Sequence, residues 1–202
     1  MFYPIMLDIV DKEIVIIGGG KVGYRKARNF LEFKGKVTVI SENFLEKFCE
    51  LKNKNKESLT LVKDTYKKEY IYNSFLVVAA TSVESINKQI SKDCNDEGIL
   101  CNVVDSLEDS EFICTSIVNR GDLVLSISTM GKCPFLSKKI RLDLEKQYSK
   151  IDEEYIILLG EIRNIIISKY SHRKKELLDY CLKLSKEELK TFYQELKGDK
   201  NI

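Results

Sequence analysis

The sequence of 202 residues predicts an α/β fold: a parallel sheet with crossover helices, then a short linking segment, then a small all-helical C-terminal domain. Apolar β-branched runs alternate with helical stretches through the first half of the chain, as successive βαβ units require. A glycine turn, Gly18-x-Gly20-x-x-Gly23, joins the first apolar run directly to the first helical stretch. Beyond Pro134 strand signals stop and helical periodicity takes over.

The first strand is the run Glu13-Ile-Val-Ile-Ile17. Gly18 allows a tight turn after it, Gly20 lets a pyrophosphate approach the backbone with no Cβ in the way, and Gly23 lets the following helix pack close to the strand. The phosphates of a dinucleotide would then sit on the helix N-terminus, so Gly18, Gly20, Lys21, Val22 and Gly23 are the cofactor-binding residues of this turn. Residues 21–34 carry Val22, Ala27, Phe30 and Leu31 at helical spacing, and Gly35 stands where a C-cap is expected. Further strands are expected at 36–41, 59–62, 75–80 and 99–104. Helices are expected at 42–53 and 83–97, the second ending at Gly98.

Residues 112–118 and 123–128 read as two strands joined by a turn at 119–122, forming either a hairpin or an extension of the sheet. Helical periodicity follows at 136–148, 151–170, 174–184 and 189–196, with Ser185-Lys-Glu-Glu188 as a capping box for the last helix. The resulting division is a nucleotide-binding domain at 1–113, a linking and dimer-forming segment at 114–148, and a helical domain at 149–202.

Composition narrows the function further. A hydrophobic fraction of 44% suits a globular chain that buries a core, and a net charge of +2 lacks the basic face of a nonspecific nucleic-acid binder. The six cysteines form no CxxC pair and read as reduced thiols. The N-terminus has no basic leader, and no apolar run approaches the roughly 18 residues of a membrane span, so a cytoplasmic protein without membrane or nucleic-acid partners is expected. The single histidine, His172, falls in a polar stretch between two helices with no metal-ligating neighbours, and no preformed metal site is expected.

An ordered series of motifs runs through the chain: Tyr3-Pro4-Ile-Met-Leu-Asp8, Gly-Gly-Gly-Lys-Val-Gly-Tyr-Arg25-Lys26, Ala80-Thr81, Asn102-Val-Val-Asp105 and Ser128-Thr-Met-Gly-Lys-Cys-Pro134. Over residues 1–150 this series resembles the precorrin-2 dehydrogenase and sirohydrochlorin ferrochelatase family, which includes the N-terminal module of sirohaem synthases. The resemblance implies a Rossmann-type domain, a dimerisation segment and a small helical domain. It also implies NAD-dependent oxidation of precorrin-2 to sirohydrochlorin in a homodimer, with insertion of ferrous iron as a second activity of some members.

By that resemblance Asp105 is the catalytic residue, a carboxylate at the end of the fifth strand that accepts a proton from the macrocycle or guides a metal. The other reading of Asp105 is a turn or N-cap aspartate before Ser106. Thr81 joins the cofactor set, and Asn102, Arg25, Arg120, Ser128, Thr129, Gly131 and Lys132 are expected to meet the carboxylate-fringed substrate. Lys138, Lys139 and Arg141 are further basic candidates, each equally readable as a solvated surface charge. Thr129 could instead serve helix entry. The family commonly has glycine at Met130 and serine at Cys133, and both departures bear on how the substrate would lie.

About 20 residues beyond the glycines, where an acidic residue contacts the ribose hydroxyls, the chain reads Ser41-Glu42-Asn43. Glu42 is one residue late, Ser41 and Asn43 could bond the ribose, and no arginine stands there for a 2′-phosphate, so NAD is expected over NADP. The reading from another class is a module that senses NAD(H) without turnover. Asp105 and the turn at 128–134 distinguish the two, since a sensor has no use for a second anionic-ligand site.

Overall fold

The computed structural model describes residues 1–104 and 106–198. The chain divides into two compact units, Met1–Cys114 and Thr115–Ile202. The first is a five-stranded parallel sheet in the order β3-β2-β1-β4-β5. Its strands are β1 (Glu13–Ile17), β2 (Lys36–Ile40), β3 (Leu59–Val62), β4 (Leu76–Ala79) and β5 (Leu100–Val103), and its helices are α1 (Lys21–Glu32), α2 (Lys47–Lys54) and α3 (Glu84–Glu97).

β1 is central and is covered on both faces, which is why its sequence is a continuous apolar run. Ile14 and Ile16 pack with Ala27 of α1 and Phe48 of α2, while Val15 and Ile17 pack with Ile90 and Cys94 of α3. In register, Ile16 lies between Val39 of β2 and Val78 of β4. This is the Rossmann-type sheet that the alternating runs predict.

Two elements of this first unit depart from the sequence reading. Gly35 is not the left-handed residue that ends α1: Lys34 takes that role at φ 62°, donating to Leu31 O while Gly35 N–H donates to Phe30 O. Gly35 is instead a packing glycine, because a Cβ there would stand 2.7 Å from Ile14 Cδ1. The helix expected at 42–53 begins only at Lys47. The preceding loop is drawn onto the glycine turn, with Leu45 N–H donating to Gly19 O at 3.0 Å, so those residues cannot enter the helix. α3 does end on a left-handed Gly98, at φ 69°.

The second unit begins with an antiparallel hairpin, β6 (Ser116–Arg120) and β7 (Leu123–Ile127), which forms its own two-stranded sheet rather than extending the first. The turn is shorter than expected, only Gly121 and Asp122, because Asn119 and Arg120 pair with Val124 and Leu123. Helices α4 (Pro134–Gln147), α5 (Glu153–Lys169), α6 (Lys174–Cys181) and α7 (Lys186–Lys197) follow. Ile162, Ile166, Leu177, Leu189 and Leu196 form the core of the last three. Asp152 caps α5 by accepting from Tyr155 N–H, and the capping box of Ser185 and Glu188 opens α7. His172 lies in the short turn between α5 and α6. Cys94, Cys101 and Cys181 are buried, and none of the six cysteines is in a disulfide.

Candidate functional site

At the carboxyl edge of the sheet the chain leaves β1 through Gly18, whose φ of +124° is open to glycine and costly for other residues. A Cβ at Gly18 would run into Ala80 O, one at Gly19 into Asn43 O, and one at Gly23 into Gly18 O, all far inside van der Waals contact. Gly20 differs from these three: a Cβ there would meet nothing within 4 Å. Three glycines therefore serve close packing of this chain with itself, and the fourth leaves open space at the surface. Gly20 is also the N-cap of α1 and supplies no side-chain cap. Tyr24 N–H bonds to Gly20 O, and the N–H groups of the first turn before it, on Lys21, Val22 and Gly23, have no partner within the helix. Their aligned donors and the positive end of the helix dipole form a cradle for an anion.

Residues 41–43 stand beside this cradle. Ser41 Oγ donates to Asn43 O at 2.8 Å, so its hydroxyl holds the loop, and the Asn43 carbonyl lies over Gly19. Glu42 and Asn43 are exposed. Thr81 lies where β4 gives way to α3, and its groups are engaged internally: N–H and hydroxyl both donate to Asn87 Oδ1, at 3.2 and 2.7 Å. Asn87 returns a bond to Thr81 O and is 6% exposed. Gly19 and Asn87 escape the sequence reading. The first was readable as one more glycine in the run, whereas nothing local marks an asparagine six residues from its partner.

Asp105 lies outside the described residues. Its sequence neighbours are firmly held: Val104 N–H donates to Ala79 O and Ser106 N–H to Val103 O. Residues 106–112 then line the outer edge of β5. Cys101 N–H donates to the Glu111 carboxylate at 2.8 Å, Glu111 N–H to Cys101 O at 2.9 Å, and Val103 N–H to Ser110 Oγ at 2.9 Å. Asn102, expected against substrate, is buried and engaged by Lys26, Phe112 and Cys114. Its carboxamide joins α1 to β5. Arg25 is exposed on α1. The Cys101 thiol is pushed well above its ordinary range by its hydrogen bond with Cys94 and by burial, which leaves it without thiolate character.

In the second unit, residues 129–132 form a tight turn closed by Lys132 N–H to Thr129 O at 3.0 Å. Met130 and Gly131 both have positive φ, 50° and 74°. Met130 thus holds a left-handed conformation that favours glycine. Ser128 Oγ accepts from Met130 N–H, and Thr129 Oγ1 accepts from Cys133 N–H and lies 3.2 Å from Ser137 Oγ. The Thr129 hydroxyl therefore serves entry into α4. Gly131 and Lys132 are exposed.

Arg120 does not join this turn. It sits at the opposite end of the hairpin, opposite Leu123, and its Nη2 donates to Glu145 O near the C-terminus of α4, where a cation suits the helix dipole. Lys139 pairs with Asp143 and Arg141 with Glu145 along the same helix. Among the described residues no group of three His, Cys, Asp or Glu side chains is placed to hold a metal ion, and no helix is long and apolar enough to cross a membrane.

A family model described as "Putative NAD(P)-binding" matches residues 5–116. The chain is 30% identical over 171 residues to a siroheme synthase of Pseudoalteromonas translucida (strain TAC 125), an alignment covering 85% of this chain and 36% of that protein. It is 35% identical over 175 residues to a siroheme synthase of Ruthia magnifica subsp. Calyptogena magnifica, again covering 85% of this chain and 36% of the relative. The chain thus spans little more than a third of these curated relatives. The solved structure of SirC, precorrin-2 dehydrogenase, superposes with a TM-score of 0.73 at 30% identity, covering 98% of this chain and all of that one.

Proposed function

Because this chain belongs to the precorrin-2 dehydrogenase and siroheme synthase family, with the family's NAD(P)-binding module at 5–116, we propose that it oxidises precorrin-2 to sirohydrochlorin with NAD+. The observation that carries this reading is the cradle at Gly20: open space over an uncapped helix N-terminus, beside three glycines closed off by their own chain. That arrangement fits a dinucleotide pyrophosphate, with the first-turn N–H groups of Lys21, Val22 and Gly23 as its donors.

The bound nicotinamide supplies the hydride acceptor. The chain's own residues bind, orient and take up a proton. Glu42, exposed beside the cradle, accepts from ribose hydroxyls and repels a 2′-phosphate, which favours NAD over NADP. Asp105 takes the proton that the macrocycle loses along with its hydride, so that precorrin-2 and NAD+ give sirohydrochlorin, NADH and one proton. In the second unit Ser128, Gly131 and Lys132 are the partners of substrate carboxylates, with Lys132 supplying charge and Gly131 its backbone N–H. Residues 114–148 are the segment through which two copies pair.

The test is incubation of the purified protein with enzymatically generated precorrin-2 and NAD+, following NADH and the sirohydrochlorin spectrum, beside Asp105→Ala. NAD-dependent turnover that falls at least a hundredfold in the variant, with NADH binding retained, is the expected result. Nucleotide binding without turnover in the unaltered protein would replace this reading with that of an NAD(H) sensor.

A further inference from the structure

Lys26 is buried, at 9% exposure, on the sheet-facing side of α1 with Gly23 and Ala27. Its Nζ donates to Asn102 Oδ1 at 3.3 Å, an oxygen that also lies 3.9 Å from Cys114 Sγ. Among the described residues no carboxylate stands within ion-pair distance of it. An ammonium has three N–H donors, and a neutral carboxamide answers only one of them. Burying a cation that has no counter-charge among the described residues is costly, and an incoming anion would offset that cost.

Its location narrows which anion. Helical side chains slant toward the N-terminus of their helix, which for α1 is the cofactor end. Asn102 is the next-to-last residue of β5, so the ammonium lies close below the carboxyl edge of the sheet, where open α/β sheets bind their ligands. The pyrophosphate already has the cradle at Gly20. The remaining anionic ligand in the proposed reaction is the polycarboxylate macrocycle.

We infer that Lys26 is a substrate-binding residue whose ammonium receives one acetate or propionate carboxylate of the tetrapyrrole, with Asn102 holding the amine in place. This inference rests on the proposed reaction. The contact acts on binding rather than on chemistry, because the macrocycle grows more positive as it surrenders a hydride and a nearby cation gives that step no help.

Lys26→Gln removes the charge and shortens the side chain by one bond, so thermal stability reports the tie to Asn102 and substrate affinity reports the charge. The experiment measures precorrin-2 oxidation kinetics, sirohydrochlorin binding, NADH binding and thermal stability for the unaltered protein, Lys26→Gln and Asn102→Asp. Lys26→Gln is expected to raise the KM for precorrin-2 and weaken sirohydrochlorin binding about ten- to hundredfold, with kcat within a few-fold and NADH affinity unchanged. Asn102→Asp gives the amine an internal counter-ion while giving up the bond that the Asn102 amide donates to Phe112 O, so it should raise KM similarly in a protein of somewhat lower melting temperature. Lys26→Gln with unaltered KM and sirohydrochlorin affinity, in a protein that turns over, would reduce Lys26 to a structural tie and leave the dehydrogenase reading intact. Should Lys26→Gln not fold, unaltered KM in Asn102→Asp would overturn the inference by itself. Absence of turnover in the unaltered protein would overturn the dehydrogenase reading and this inference with it.

Discussion

The α-carbon of Gly23 lies so close to the Gly18 carbonyl oxygen that a methyl group at position 23 would occupy the space of that oxygen. The neighbour is backbone at the hinge between β1 and α1, so it cannot swing aside as a flexible side chain would. Gly23→Ala is therefore expected to destabilise the first unit by about 2 kcal/mol or more and to abolish NADH binding. Gly20→Ala should fold with near-normal stability, since the site is open and φ −80° suits alanine, yet bind NADH at least tenfold more weakly. Thermal denaturation and a fluorescence titration with NADH on both variants check the contrast.

Met130 holds a left-handed conformation at φ 50° immediately before a second one at Gly131. For an L-residue with a Cβ this costs roughly 1–2 kcal/mol. Met130→Gly removes that cost while loosening the unfolded chain, leaving a net gain of about 0.5–1 kcal/mol. Urea denaturation would reveal it as a higher midpoint with an unchanged slope. A lower midpoint would mean that the methionine side chain contributes more than its backbone strain removes.

In the proposed reaction Glu42 decides between NAD+ and NADP+. Glu42→Arg replaces a repelling charge with an attracting one beside the 2′ position, and is expected to shift the ratio of kcat/KM for NADP+ over NAD+ at least tenfold toward NADP+. An unchanged ratio would remove residue 42 from the ribose site.

The Asp64 carboxyl is lowered from its ordinary 3.8 to about 2, chiefly by the hydrogen bond from Lys67 and then by that from Tyr70. Since the folded value lies below the unfolded one, its stabilisation is present above about 4 and is lost as pH falls through about 2. Asp64→Asn should therefore flatten the pH dependence of unfolding between those values and leave the dependence at neutral pH unaltered. Carboxyl NMR titration of the unaltered protein should place the Asp64 midpoint near 2.

The sheet was readable because buried parallel strands are written as unbroken apolar runs, and the glycine spacing announced the turn between β1 and α1. What escaped depends on contacts far apart in sequence. Residues 42–46 have helical composition but are drawn away by Gly19, and Gly35 looks like a cap until Ile14 is seen against it. Asn102 looked like a ligand residue at a strand end, yet its partners Lys26 and Phe112 come from other segments. Arg120 and Ser128 are eight residues apart in sequence, but β7 lies between them and puts them at opposite ends of the hairpin. In the turn after β7, the hydroxyl of Thr129 proved to be committed to the helix rather than free.

The bonds that residues 106–112 make to the outer side of β5 also set the sheet's final width. An edge strand ordinarily offers rungs on which a foreign strand can climb, the route by which domains swap or fibrils start. Here the Cys101 and Val103 amides are already spoken for by Glu111 and Ser110. Both amides should resist hydrogen exchange as if they lay inside the sheet. A truncation ending before Ser110 would strip that cover and leave a chain prone to aggregate along this border even with its five strands still in place.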